Sequence, residues 1–172
     1  MAIIERFLGQ RVSIPDELRY DIKQGLWVKT DGVEVVIGLT EPALVLHGGV
    51  NDLDWLVSEG EVVRENQDVI FAITGKILYI SAPFAGRISL NSEAKQRPAC
   101  IKEDPYRRGW LFRLAIDAGQ YRALFRLASS GAYLESLKET DGCKNPEGRK
   151  GGVSGICKAV YSGIRAQKMK TS

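Results

Sequence analysis

Apolar and polar positions alternate in short blocks along most of this chain. Val69–Thr74 and Ile77–Ser81 are two runs rich in β-branched and aromatic residues, separated only by Gly75-Lys76. Such runs read as strands, and a glycine between them supplies freedom for a tight reversal. Lys76 is therefore expected at the tip of a hairpin. Upstream, Gly25–Thr30 and Val33–Leu39 read as a second strand pair around Asp31-Gly32, a hairpin signal. Asp52–Val57, Val62–Val63, Arg87–Asn91 and Trp110–Leu114 add further short strands, with turns at 58–61, 65–68 and 83–86. Residues 1–25 show no clear period, and Pro15 stops any helix before it. Ser92–Arg108 is a polar stretch without a period. This rhythm predicts a small all-β barrel or sandwich.

The helical period appears in a few places only. Thr40–Leu46 reads as one short helix, with Thr40 as N-cap and Pro42 in the first turn. His47-Gly48-Gly49 ends it. Asp117 followed by Gln120 resembles a capping box, and Tyr121, Leu124, Phe125 and Ala128 fall at i, i+3, i+4, i+7. Ser129-Ser130-Gly131 breaks that stripe, and Ala132–Leu137 starts another short helix. Asp141–Gly148 reads as loop or tail, and Val153–Met169 as a modest helix that forms on a partner.

Composition narrows the class. A chain of 172 residues is long enough for one domain with a real core. No apolar run approaches the roughly 20 residues of a membrane helix, and the N-terminus lacks the pattern of a secretion signal. Cys100, Cys143 and Cys157 are too few for a disulfide framework, which points to the cytoplasm. They read as ordinary free thiols; the sharper reading is a thiol that carries sulfur or exchanges with a disulfide. The net charge of +3 hides an asymmetry. Residues 140–172 hold seven basic and two acidic groups, while residues 1–139 hold 17 basic and 19 acidic ones. The expected division is a body over 1–139 and a basic, Gly-rich extension over 140–172. Such an extension is either solvated or meets an acidic protein surface. Nucleic acid is not expected, because the body has no basic stripe with interleaved aromatics. His47 is the sole histidine and has no cysteine or carboxylate at ligand spacing, so no metal site is expected. No nucleophile–base set or phosphate loop is visible, so no catalytic residue is named.

Further residues carry a resemblance. Trp27-Val28, Gly38-Leu39-Thr40, Gly60-Glu61, Lys76, Ala82-Pro83 with Gly86, and above all Glu103-Asp104-Pro105-Tyr106 and Gly109-Trp110-Leu111-Phe112 recur at family spacing. Over roughly Tyr20 to Glu139 the chain resembles the glycine cleavage system H protein family of lipoyl carriers. The resemblance implies a mainly β fold, a barrel-sandwich hybrid with C-terminal α-helices. It also implies lipoate amide-linked to Lys76, and a carrier rather than an enzyme. Two positions depart from the family. Ile73-Thr74-Gly75-Lys76 stands where Glu-Ser-x-Lys is usual, and Gly25-Leu26-Trp27 where His-Glu-Trp is usual. The departures are similar to one branch, the lipoate-binding proteins of sulfur oxidation. That branch implies a sulfur cargo, a heterodisulfide-reductase-like complex and sulfur-transfer proteins as partners, and a dedicated lipoate ligase for Lys76. The alternatives are an H protein carrying aminomethyl groups and a non-lipoylated binding module. A biotin carrier lacks its Ala-Met-Lys-Met here.

Overall fold

The computed structural model describes residues 1–149. The described residues form eleven strands. They are β1 (Ala2–Phe7), β2 (Gln10–Ile14), β3 (Arg19–Asp21), β4 (Leu26–Asp31), β5 (Glu34–Leu39), β6 (Asp52–Trp55), β7 (Val62–Val63), β8 (Asp68–Ile73), β9 (Ile77–Ser81), β10 (Gly86–Leu90) and β11 (Phe112–Ala115). Helices are α1 (Glu41–His47), α2 (Ser92–Gln96), α3 (Ala99–Glu103), α4 (Ser130–Leu137) and α5 (Asp141–Lys144), with a 3-10 helix at Gln120–Arg126. An antiparallel sheet in the order β3-β4-β5-β11-β10-β7 packs against the sheet β6-β8-β9. Leu26, Val28, Ile37, Leu53, Ile70, Ile80, Ile88 and Phe112 fill the space between them. No helix among the described residues is long and apolar enough to cross a membrane.

The β4–β5 pair shows why its sequence is so continuously apolar. Leu26, Val28, Val35 and Ile37 point into the main core. Trp27 and Val36 point the other way, into a second cluster with Phe7, Ile14, Tyr20 and Tyr133. A sheet buried on both faces leaves no polar alternation to read. Gly38 is required here, because a Cβ would lie 2.6 Å from the Trp27 ring. The reversal lies one residue later than expected: Asp31 pairs with Glu34, so Gly32-Val33 form the turn.

Four expectations are corrected. Residues 1–25 contain the β1–β2 hairpin and β3. The hairpin turns at Leu8-Gly9, both left-handed, with φ 48° and 78°. Leucine at such a position gives no turn signal. The turn is held instead by tertiary bonds, Leu8 N–H to Gly142 O (3.1 Å) and Gly9 N–H to Pro146 O (2.8 Å). Secondly, the stretch after Leu90 forms α2 and α3, each five residues long, too short to show a period. Asn91 supports them by accepting from Glu93 N–H and donating to the Arg108 and Trp110 carbonyls. Thirdly, the stripe that starts at Tyr121 winds as 3-10 helix only as far as Arg126, and Ala128 lies beyond it, bridged to Tyr20. At three residues per turn Tyr121 and Leu124 share a face, and Phe125 is thrown outward, 77 % exposed beneath Arg19. Lastly, Asp141–Gly148 is not plain loop, since α5 packs Gly142 flat against the Phe7 ring. Val153–Met169 lies outside the described residues.

The Thr40 cap holds, whereas the Asp117–Gln120 box forms only in half. Asp117 accepts from Gln120 N–H at 3.0 Å, but the Gln120 side-chain oxygen has no partner among the described residues, and the 3-10 helix begins after Gly119 without a side-chain cap. The Thr40 hydroxyl accepts from Ala43 N–H at 3.1 Å and hydrogen-bonds Tyr133 OH at 2.6 Å. Ser129, read as a break, is the N-cap of α4.

Candidate functional site

Lys76 stands exposed in the connection between β8 and β9. The strands pair in register up to Ile73↔Ile77, leaving Thr74-Gly75-Lys76 as a three-residue loop. Thr74 organises this loop. Its buried hydroxyl accepts from Lys76 N–H and donates to Lys76 C=O, both at 3.0 Å, while Thr74 N–H also donates to that carbonyl at 2.8 Å. Gly75 does not act as expected, because its backbone is not left-handed. Its N–H donates to His47 O at 3.1 Å, and a Cβ would meet that oxygen at 3.4 Å, an ordinary contact, so neither space nor a left-handed backbone demands glycine here. The end of α1 thus braces the loop from behind. The base is stiff, and only the lysine side chain projects.

Thr74→Val keeps the shape and leaves the Lys76 amide without its hydroxyl partner. The expected outcome is a loss of about 1–3 kcal/mol, with faster hydrogen exchange at Lys76 N–H, and recovery in Thr74→Ser. Urea melts and amide exchange measure both.

A groove of about 500 Å³ runs beside β9, lined by Asp21, Gln24, His47, Tyr79 and Ser81 among others. Gln24 forms its far wall by pairing with the Ser81 backbone in both directions, at 2.8 and 3.1 Å. Asp21 in turn accepts from Gln24. A second, largely apolar hollow of about 250 Å³ shares Lys23, Gln24 and His47 with the groove and extends to Leu46 and Leu137. Burial lowers the pKa of the His47 imidazole and favours its neutral form. The groove mixes polar and apolar lining, the second hollow is largely apolar, and both meet at His47, whose carbonyl braces the Lys76 loop; that combination suits an acyl chain that ends in an apolar ring. Gln24 and Asp21 were not singled out in the sequence; they lie in a stretch without periodicity, and only long-range pairing brings them to β9.

Other candidates fall into structural places. Leu26 is fully buried in the main core, at the base of the β4–β5 pair. Pro105 O accepts from Trp27 Nε1–H at 2.9 Å, and Tyr106 OH accepts from Glu41 N–H and donates to Ser13 O. The Glu103–Tyr106 motif therefore docks α1, β4 and the N-terminal hairpin together rather than serving a reaction. Cys100 is buried and Cys143 half-buried; burial pushes both thiols up, which disfavours the thiolate. Cys157 lies outside the described residues. No group of three His, Cys, Asp or Glu side chains among the described residues is placed to hold a metal ion.

Fold and site together define a domain that presents an exposed lysine on a braced hairpin. Comparison with known proteins names the class. Residues 18–140 match the family described as Glycine cleavage H-protein. The chain is 32% identical over 120 residues to a glycine cleavage system H protein of Bacillus cereus, covering 66% of this chain and 90% of that protein. It is 33% identical over 137 residues to that of Magnetococcus marinus, covering 73% and 90%. A crystal structure of the H protein from Mycobacterium marinum superposes with a TM-score of 0.57 at 25% identity, covering 71% of this chain and 97% of that one. The chain belongs to the glycine cleavage H-protein family, and its fold is the barrel-sandwich hybrid of that family.

Proposed function

We propose that this protein is a lipoyl carrier of the H-protein type and that Lys76 is its attachment residue. The observation that carries this reading is the exposed Lys76 in the β8–β9 loop, which His47 ties to the groove beside β9. When bound, lipoate supplies a disulfide that opens to a dithiol and holds a transferable group. The chain contributes placement. Thr74 and the His47 carbonyl fix the anchor, and the groove beside β9 shelters the arm between visits to partner enzymes. Tethering raises the effective concentration of the cargo at each docked partner. Mass spectrometry of the Lys76 peptide from the native host tests this: one lipoyl group is expected, and an unmodified lysine overturns it.

The cargo reading favoured by the relatives is the aminomethyl group of glycine cleavage, with the other enzymes of that system as partners. The groove supports it, because the Asp21 carboxylate in its wall can take a charge-assisted hydrogen bond from a cationic amine. A second reading is a sulfur cargo passed to a heterodisulfide-reductase-like complex by way of sulfur-transfer proteins. What favours it is Leu26, apolar and buried where the family carries an acid, and Ile73 beside the attachment loop. Incubation of lipoylated protein with glycine decarboxylase and glycine separates the two. The first reading expects methylamine on the arm, and failure to load it supports the second.

A further inference from the structure

The outer face of the β6-β8-β9 sheet is unusual for a surface. Its register places side chains in two rows of three, Asp54–Phe71–Tyr79 and Asp52–Ile73–Ile77. Phe71 and Tyr79 meet edge to face, with ring centroids 5.4 Å apart. Ile73, Ile77 and Tyr79 are 44 %, 63 % and 53 % exposed. Four large apolar side chains thus form one patch directly under Lys76. On the β6 side Lys95 bridges Asp54 at 2.8 Å and Asp52 at 3.2 Å, leaving an edge with one net negative charge. An apolar centre with a charged rim has the anatomy of a recognition surface.

We infer that this face docks the enzyme that acylates Lys76. The inference rests on the carrier reading above, and it follows from reach. Once the arm is attached, its working end lies a full acyl chain beyond the lysine, so enzymes that use it need not touch the sheet. The attaching enzyme has no such arm. It must bring the Lys76 nitrogen itself to an activated lipoyl carbonyl, so its surface has to cover the hairpin. There the amine, having lost a proton, attacks the carbonyl of an acyl adenylate or a carrier thioester. A C–N bond forms, the bond from the carbonyl carbon to adenylate or thiolate breaks, and the amine's second proton leaves with the product or to water. Redox state does not change. The strand pair that flanks the Lys76 loop on this face is Ile73 and Ile77, with Phe71 and Tyr79 the next pair. A stable dimer buries about 800 Å² per partner over some 20–30 residues a side. Four side chains fall well short, as suits an enzyme that must release its product. The net negative edge at Asp52 and Asp54 calls for a basic margin on that enzyme.

The test compares wild type, Ile77→Ser, and Phe71→Ser combined with Tyr79→Ser. Val62→Ser, exposed on β7 away from the patch, is the control. Each is produced in the native host under limiting lipoate, and the fraction of Lys76 peptide with the lipoyl mass is measured. Two readouts guard against trivial causes. Acetylation of Lys76 by a small N-hydroxysuccinimide ester reports access to the amine, and thermal melting reports the fold. The expected result is a loss of loading of about tenfold or more in the patch variants, with chemical acetylation unchanged and the control like wild type. Equal loading in loaded wild type and variants overturns the docking face alone. Unmodified wild type overturns the carrier reading and the docking face with it. Wild-type dimers that the patch variants dissolve, with loading unchanged, give the face to a second copy and overturn the inference.

Discussion

Lys76→Arg is expected to abolish the lipoyl mass and all carrier activity while leaving the fold intact. Arginine keeps the positive charge and nearly the reach of lysine. Its guanidinium stays protonated and offers no free lone pair for acylation. The side chain projects from the loop into solvent and makes none of the bonds that shape it; those come from the Lys76 backbone, Thr74 and His47. Exposed substitutions of this kind change stability by no more than about 0.5 kcal/mol. So the melting temperature should hold while carrier turnover falls to background. No other lysine should substitute, because the braced loop and the groove beside β9 occur at this one place among the described residues. Retained transfer in the arginine variant, read with the partner enzymes of either cargo, would remove Lys76 from the mechanism.

The lysine was legible because three local features agree. The two runs around it are β-branched, the spacer is short, and a single glycine interrupts them. Local agreement of this kind survives folding. The helix start at Thr40 was legible for the same reason, since a threonine cap and a first-turn proline need only near neighbours. What was not legible depends on distant residues. Leu8 turns left-handed because Gly142 and Pro146 hold it there. Asp21 and Gln24 reach the groove because Ser81 accepts and donates across 57 positions of sequence. The 3-10 segment exposes Phe125, although its spacing fits an α-helix, because the winding alters which residues share a face. Gly75 marks the turn in the sequence, but neither a left-handed backbone nor close packing demands glycine there. The Glu103–Tyr106 motif was legible as a family mark, but its use in docking Trp27, Glu41 and Ser13 appears only in three dimensions.

Phe7→Ala is expected to be the most destabilising single truncation in the N-terminal hairpin, at about 3–5 kcal/mol. Phe7 is fully buried and belongs to the second cluster, outside the sandwich. It lies against Gly142, where any Cβ would come within 2.1 Å of the ring, so the helix backbone and the ring have closed all intervening space. Removing the ring opens a cavity that neither α5 nor β1 can refill without breaking Leu8 N–H to Gly142 O. The loss is a large share of a domain's typical net stability of about 5–15 kcal/mol, and a urea midpoint will show it. Phe7→Leu should cost less than about 1.5 kcal/mol, because most of the volume returns. Residues 1–17 and 141–149 lie outside the segment that matches the family. Yet they close the outer face of β4 and β5 over Trp27 and Val36, and that closure is what the substitution opens. The damage should stay on that side. Lys76 is braced by α1 and Thr74, so at low temperature the folded fraction should still accept its acyl group. A midpoint shift below about 1 kcal/mol would mean that α5 does not sit on the hairpin in solution. The apolar outer face of β4 and β5 would then need another cover.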